Sequence, residues 1–359
     1  MHTLALASFI GWMLAGAGVY HSAVIAIAVL IITCPCAIGL AVPVAQVVAC
    51  GALMRQGIMV KDGSALERLA RIDRVLIDKT GSLTMGQPAP DPAALSNLSA
   101  EEAAVALALA SHSRHPLSRA LASALAGNRL LPASIEEVVE TPGYGVAGRW
   151  RGIAAALRRP ESAAASAVAL AIAGRPVRLI SFTDQLRPDC REALTRMNAM
   201  GLQSSILSGD NARAVREVAR ATGLMGQASA SPADKCDAIT RLQRAGCRVL
   251  MVGDGLNDGP ALAIADASIA PGTASDVGRQ AADLVFLGDS LLALPRSIAA
   301  ARKTMRIVRQ NFVLAIGYNI LAVPLAILGQ ITPLLAAIAM STSSLVVIVN
   351  SLRLSRVAR

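Results

Sequence analysis

Asp78-Lys79-Thr80-Gly81-Ser82-Leu83-Thr84 follows the apolar run Val75-Leu76-Ile77. A buried-type strand that ends on an aspartate puts that carboxylate at the C-terminal edge of a sheet, where open α/β folds bind ligands. The Thr-Gly-Ser turn behind it can offer backbone N–H groups to an anion. An aspartate so placed can act as a nucleophile toward a phosphoryl group.

Four more stretches follow in order: Thr183-Asp184-Gln185-Leu186-Arg187-Pro188, Ser208-Gly209-Asp210, Ser231-Pro232-Ala233-Asp234-Lys235 and Val252-Gly253-Asp254-Gly255-Leu256-Asn257-Asp258-Gly259-Pro260-Ala261-Leu262. Phosphoryl transfer needs in-line positioning and neutralised charge on the equatorial oxygens more than it needs covalent ingenuity. Asp78 can be the acceptor, and Lys235 and the Ser208 hydroxyl can hold phosphoryl oxygens. Asp254 can hold magnesium with Asp78, because that ion takes one or two carboxylates and keeps waters.

Together the five stretches resemble the P-type cation ATPases, whose signature is Asp-Lys-Thr-Gly-Thr with the aspartate phosphorylated by ATP. Ser82 departs from the signature but keeps the hydroxyl. The resemblance implies a catalytic set of Asp78, Lys79, Thr80, Ser208, Lys235, Asp254, Asn257 and Asp258, with magnesium at Asp78, Thr80 and Asp254. Two residues after Asp78 stands Thr80, where related soluble phosphatases carry the acid that hastens hydrolysis. A persisting aspartyl-phosphate is therefore expected, which suits a pump.

The chain is 54% hydrophobic and 3% aromatic, with a net charge of +10. Its 34 basic and 24 acidic residues are absent from 1–54 and from 310–352. A membrane span needs about 20 apolar residues, so each block has room for two, expected near 4–20, 23–50, 311–328 and 333–350. Arg55, Lys61, Arg68, Arg71, Arg302, Lys303, Arg306, Arg309, Arg353, Arg356 and Arg359 flank the blocks on one side, taken as cytoplasmic. That placement favours topology over nucleic-acid binding as the meaning of the basic balance. The start lacks the charged n-region of a secretory signal. The six cysteines form no disulfide framework: Cys34, Cys36 and Cys50 fall in membrane segments, and Cys190, Cys236 and Cys247 in the cytosolic-facing part, where thiols stay reduced.

Residues 55–309 alternate strand-like and helical runs, as a doubly wound domain should. Strands are expected at 75–77, 177–182, 204–207 and 249–252, and helices at 187–200, 211–222 and 234–245. An alanine-rich insertion with possible strands at 135–139 and 148–154 separates the first strand from the rest. The expected class is α/β plus membrane helices: a haloacid dehalogenase-like phosphorylation domain (55–85 and 177–309) with an inserted nucleotide-binding domain (86–176). Helical hairpins at 1–54 and 310–352 flank it, and a tail occupies 353–359.

Within the insertion, Ser113-Arg114-His115-Pro116-Leu117 accompanies Gly143-Tyr144-Gly145-Val146-Ala147-Gly148. A lone Gly-x-Gly-x-x-Gly is weak, and no strand–turn–helix with a suitably placed acid surrounds it. The pair is similar to the nucleotide-binding domain of heavy-metal P-type ATPases, which implies ATP contacts at His115, Pro116, Gly143, Gly145 and Gly148. Arg114 replaces an acid common in that family, and the family's Gly-Asn element is absent near 157–159.

Cys34-Pro35-Cys36 interrupts an uncharged run. Proline opens a helix, and two thiolates beside opened backbone suit a soft monovalent ion. Tyr318-Asn319 and Met340-Ser341-Thr342-Ser343-Ser344 resemble elements of the copper(I) branch, implying a transported ion held by Cys34, Cys36, Tyr318, Asn319, Met340 and Ser344. The zinc and cadmium branch carries charge in these spans, and this chain has none there. Silver is chemically similar to copper(I). Residues 60–69, 281–288, 308–312 and 338–347 are similar to copper ATPases encoded with nitrogen-fixation clusters and serving haem–copper oxidase assembly.

The resemblance covers the C-terminal half of such a pump. Relatives carry upstream metal-binding domains, four further spans and an actuator domain whose Thr-Gly-Glu loop positions the hydrolytic water. No Thr-Gly-Glu occurs here, and Met1 falls within what resembles a longer helix. Two expectations stand. The chain is the catalytic half of a copper pump in a bacterial inner membrane, its catalytic domains cytoplasmic, working with a separate N-terminal half and possible copper chaperone delivery. The alternative is a truncated fragment that binds ATP without transporting.

Overall fold

The computed structural model describes residues 1–113, 115–127, 130–141, 144–160, 167–255 and 257–356. The chain forms two compact units. One comprises Met1–Ile72, Asp283–Leu287 and the residues from Ala293 onward, and the other Asp73–Ala282 with Gly288–Leu292.

In the first unit, three helical stretches among the described residues are long and apolar enough to cross a membrane: Gly18–Met54, Ala293–Ile327 and Pro333–Ser355. The expected first span is shorter than predicted, a helix at His2–Leu14. The chain turns at residues 15–17 and resumes as helix at Gly18, not at 23, because Gly16 and Gly18 take left-handed backbone at φ +83° and +78°. The stretch from Gly18 is broken at residues 33–35, where Pro35 brings no N–H to continue the ladder. Cys36–Met54 follows as a separate helix. Ala37, Ala41, Ala45 and Ala49 recur every fourth residue and are all buried. Such a face lets helix backbones approach closely. A second apolar contact joins Ile25, Ala28, Val29 and Ile32 to Ala322, Ala326 and Ala336. Outside the apolar helices, Ile58–Val60 pairs antiparallel with Leu284–Phe286.

The second unit holds two sheets. Ala267–Pro271, Val249–Val252, Arg74–Ile77, Gln203–Leu207 and Met225–Gln227 lie side by side in that order and run parallel. All four residues of Val249–Val252 are buried, as expected of a strand covered on both faces. The flanking helices have side-chain caps: Asn211 accepts from two backbone N–H groups before Ala212–Thr222, and Ser231 with Asp234 forms a capping box before Pro232–Arg244.

The other sheet is antiparallel and six-stranded: Thr84–Pro90, Arg178–Leu186, Ala167–Ile172, Ile153–Arg158, Gly145–Trp150 and Glu136–Thr141. The strand expected at 177–182 belongs here and not to the parallel sheet. Its central residues alternate between buried and more exposed positions, the pattern of a sheet with one covered face. The strand expected at 148–154 is really a hairpin. Arg151 and Gly152 both have positive φ, at 50° and 76°, and form the two-residue turn between paired strands. Helices Ala100–Ser111 and Pro116–Ala126 bury Val105, Leu109, Leu121 and Leu125 in a cluster with Val146, Trp150, Leu170 and Phe182 of this sheet.

Candidate functional site

Asp78 sits one residue beyond Arg74–Ile77, its backbone N–H held by the Val252 carbonyl at 2.8 Å. Its carboxylate is buried. Oδ1 accepts from Lys235 Nζ at 2.8 Å, and Oδ2 accepts from the Thr80 backbone N–H at 3.1 Å. The same ammonium donates to Asp258 Oδ1 at 2.5 Å, so one buried cation serves two buried carboxylates. Burial and the charges of Asp258 and Asp254 outweigh Lys235 and push the Asp78 carboxyl up to about 7. Burial works against the Lys235 charge, but its two aspartates keep the ammonium above its ordinary range.

The loop after Asp78 is shaped by glycine and clamped by arginine. Gly81 has φ +69°, and a Cβ there would stand 3.1 Å from Asp254 Oδ2. The Arg187 side chain, buried, donates to the carbonyls of Ser82 at 2.8 Å and Gly81 at 2.9 Å. Thr84 Oγ1 hydrogen-bonds to both the Lys79 carbonyl and the Asp184 carboxylate. Burial holds the Asp184 carboxyl above its ordinary range, against Thr84 and the Lys79 charge. In the bend after Gln203–Leu207, Asp210 pairs with Lys79 at 2.8 Å and accepts from Thr80 Oγ1 at 2.9 Å and Ser208 Oγ at 3.3 Å. Despite burial, which acts the other way, these donors hold its carboxyl low. Gly255 and Gly278 touch backbone to backbone, since a Cβ on Gly255 would lie 1.9 Å from the Gly278 Cα.

The structure therefore brings Asp78, Lys79, Thr80, Ser208, Lys235, Asp254 and Asp258 to one edge of the parallel sheet. Asn257 is exposed, and no hydrogen bond ties it to this cluster among the described residues. Arg187, Asp184 and Asp210 were not anticipated as site residues, although all three lie inside the quoted motifs. Among the described residues no group of three or more His, Cys, Asp or Glu side chains forms a metal cage. Asp78 and Asp254, two hard carboxylates on this edge, fit magnesium, which prefers such oxygen donors and retains waters.

In the inserted domain, His115 is exposed and caps Pro116–Ala126, its Nδ1 accepting from the Leu117 N–H at 3.3 Å. Ser113 Oγ donates to Glu140 Oε1 at 2.6 Å, tying this turn to Glu136–Thr141, whose Thr141 stands opposite Gly145. Gly145 takes φ +137°, and a Cβ would fall 2.0 Å from the Leu157 carbonyl. A Cβ on Gly148 would meet Ile135 at 2.6 Å. Gly143 lies outside the described residues.

Within the first unit, a cavity of about 10 Å³, room for one water-sized atom, is lined in part by Cys34, Pro35, Tyr318, Asn319, Met340 and Ser343. Tyr318 Oη and Asn319 Oδ1 are buried with no hydrogen-bond partner among the described residues. The serine on the wall is Ser343; Ser344, half-buried on the same helix, is not on it. Cys34 and Cys36, expected as two thiolates, are paired sulfur to sulfur. The break at Pro35 holds their Cα atoms 5.6 Å apart, within disulfide reach. Cys50, Cys190, Cys236 and Cys247 are free.

A family profile described as haloacid dehalogenase-like hydrolase matches residues 72–266. The chain belongs to that family. It is 50% identical to "Nitrogen fixation protein FixI" of Rhizobium leguminosarum bv. viciae, covering 99% of this chain and 48% of the relative. It is 36% identical to "Probable copper-exporting P-type ATPase V" of Mycobacterium tuberculosis, covering 99% of this chain and 49% of the relative. Among solved structures, a zinc-transporting PIB-type ATPase in the E2.Pi state superposes with a TM-score of 0.83 at 31% identity, over 99% of this chain and 62% of that one. The catalytic domain of the CPx-ATPase CopB-B matches with a TM-score of 0.60 at 27% identity, over 69% of this chain and 98% of that one. The chain spans about half the length of the curated relatives it matches.

Proposed function

We propose that this chain supplies the catalytic and ion-binding portion of an ATP-driven copper(I) transporter that works through an aspartyl-phosphate on Asp78. The observation that carries the choice of ion is the intramembrane cavity, where the sulfurs of Cys34 and Met340 meet the unpartnered Tyr318 and Asn319 oxygens with no charged side chain among the lining residues. Sulfur and neutral oxygen donors suit a soft monovalent ion better than a hard divalent one. The Cys34–Cys36 pair must be reduced to bind it.

In the phosphorylation step an Asp78 carboxylate oxygen attacks the γ-phosphorus of ATP, the bond to the bridging oxygen breaks, and ADP leaves. Asp78 attacks as the carboxylate, which Lys235 favours. Lys235 and Ser208 Oγ then hold the transferred phosphoryl oxygens, with the Thr80 N–H beside them. Magnesium held by Asp78, Asp254 and the Thr80 segment would offset phosphate charge. Asp210 orients Lys79 and the two hydroxyls. The inserted domain binds ATP beside His115 and the glycine hairpin. The catalytic unit faces the cytoplasm of a bacterial inner membrane, with copper delivered by a chaperone. Dephosphorylation needs a water-positioning glutamate from the part that the relatives carry beyond this match, whether in the same protein or on a separate polypeptide.

Phosphate release by the purified chain in lipid is the test, with and without copper(I), then with the N-terminal half of a related pump added in trans. Little copper stimulation alone and multiple turnover in trans are expected. Failure of both would favour a non-transporting fragment. Copper-stimulated turnover by the chain alone would contradict the division of labour.

A further inference from the structure

Asn311 is wholly buried in Ala293–Ile327. Its Nδ2 donates to Ser351 Oγ at 2.9 Å and reaches the Ala41 carbonyl at 3.4 Å, and its Oδ1 accepts from Asn350 Nδ2 at 2.8 Å. One carboxamide thus joins Cys36–Met54, Ala293–Ile327 and Pro333–Leu352. The partners are themselves engaged: Ser351 Oγ donates to the Val347 carbonyl, and Arg353 donates to Asn350 Oδ1 at 3.0 Å.

The hub lies on the same helix faces as the cavity. Tyr318 follows Asn311 by two helical turns, about 10 Å along the axis. Between them sits an apolar layer of Ala37, Ala41, Ala315 and Val347. Ala37 and Ala315 of that layer also line the cavity. Hub, layer and cavity therefore stack along three helices.

Alanine faces allow close approach but carry little shape to fix sliding or rotation. Inside a bilayer, where hydrophobic association is absent, interhelical hydrogen bonds supply that constraint. The cavity has room for one atom, so a small slip of one helix would separate its donors. We propose that Asn311 is a positioning residue that sets the geometry, and hence the soft-metal affinity, of a site it does not touch. This rests on the reading of the cavity as the ion site.

The test uses the reduced full chain in lipid nanodiscs with silver(I) as the soft monovalent probe, its affinity measured by competition with a chromophoric chelator. Asn311→Ala is expected to weaken silver binding about tenfold, the worth of the interhelical hydrogen bonds its amide makes. Ser351→Ala should weaken it less, and the double variant should be no weaker than Asn311→Ala alone. ATP-dependent labelling of Asp78 should stay at the parental level in all three, which a general loss of fold would not allow. If Asn311→Ala does not insert, Ser351→Ala still decides, because it removes one hub bond and keeps the amide. Parental silver affinity in both variants would overturn the proposal. A parent chain that binds no silver would instead overturn the cavity reading, and the positioning role with it.

Discussion

Replacing Lys235 by methionine removes the one ammonium that, among the described residues, contacts both Asp78 and Asp258. The Lys235 side chain is 3% exposed, and the carboxylates it bridges are 8% and 2% exposed. Breaking a buried pair by deleting one partner costs about 3–5 kcal/mol, because the remaining charge stays buried. Proton uptake sets a limit on that loss. Asp78 already sits at about 7, so in Lys235→Met it is driven further up and takes a proton near neutral pH. The raised folded-state value fixes the sign: that proton stabilises the fold below the shifted value, and the stabilisation is lost as pH rises through it. Lys235→Met should therefore be destabilised by about 3 kcal/mol at pH 8 and clearly less at pH 6. Asp78→Asn in the same background should recover most of the pH 8 loss, since it removes one of the two carboxylates. The assay is pulse proteolysis of the full chain in urea without magnesium, following fragments of the second unit. A loss below about 1 kcal/mol at pH 8, or a double variant no more stable than Lys235→Met, would refute the reasoning.

Other expectations follow from particular contacts. Gly145→Val should disorder the inserted hairpin and abolish ATP binding, because its Cβ would overlap the Leu157 carbonyl; retained ATP affinity by equilibrium dialysis would count against the placement of the nucleotide site. The Ser99 backbone N–H, ahead of the Arg178 side chain, holds the Glu102 carboxyl below its ordinary range against the effect of burial. Stability from Glu102 should be full above the unfolded-state value and fade as pH falls through the lower folded one, so Glu102→Gln should flatten the acid limb of a thermal-stability profile. X-ray absorption of the reduced chain loaded with copper(I) should show sulfur ligation that Cys34→Ser with Cys36→Ser removes; oxygen-only ligation would reject the site.

The cluster around Asp78 was legible because each of its motifs is short and sits at a strand end, so sequence order alone predicts which edge they share. Asp78 and Asp254 follow buried apolar runs, Ser208 follows the buried pair Ile206-Leu207, and all three reached one place. The role of Arg187 was not legible, since its guanidinium serves the backbone of a loop more than a hundred residues earlier. Nothing local marks that contact. The strand at Arg178–Leu186 was assigned to the wrong sheet because its apolar content resembles a buried run, and only its alternation with exposed positions tells the sheets apart. The Arg151-Gly152 turn was missed because arginine gives no turn signal at the first of its two left-handed positions. The donors Cys34, Tyr318, Asn319 and Met340 could be chosen from sequence as polar or sulfur groups in uncharged helices. The choice between Ser343 and Ser344 depends on helix rotation, which neighbouring serines on one turn do not reveal.

The central claim is that Asp78 becomes phosphorylated, and γ-labelled ATP tests it most directly. Incubated with magnesium, the chain should acquire an acid-stable, hydroxylamine-labile label that maps to the peptide containing Asp78 and disappears in Asp78→Asn. A label that survives Asp78→Asn, or that resists hydroxylamine, would contradict the account.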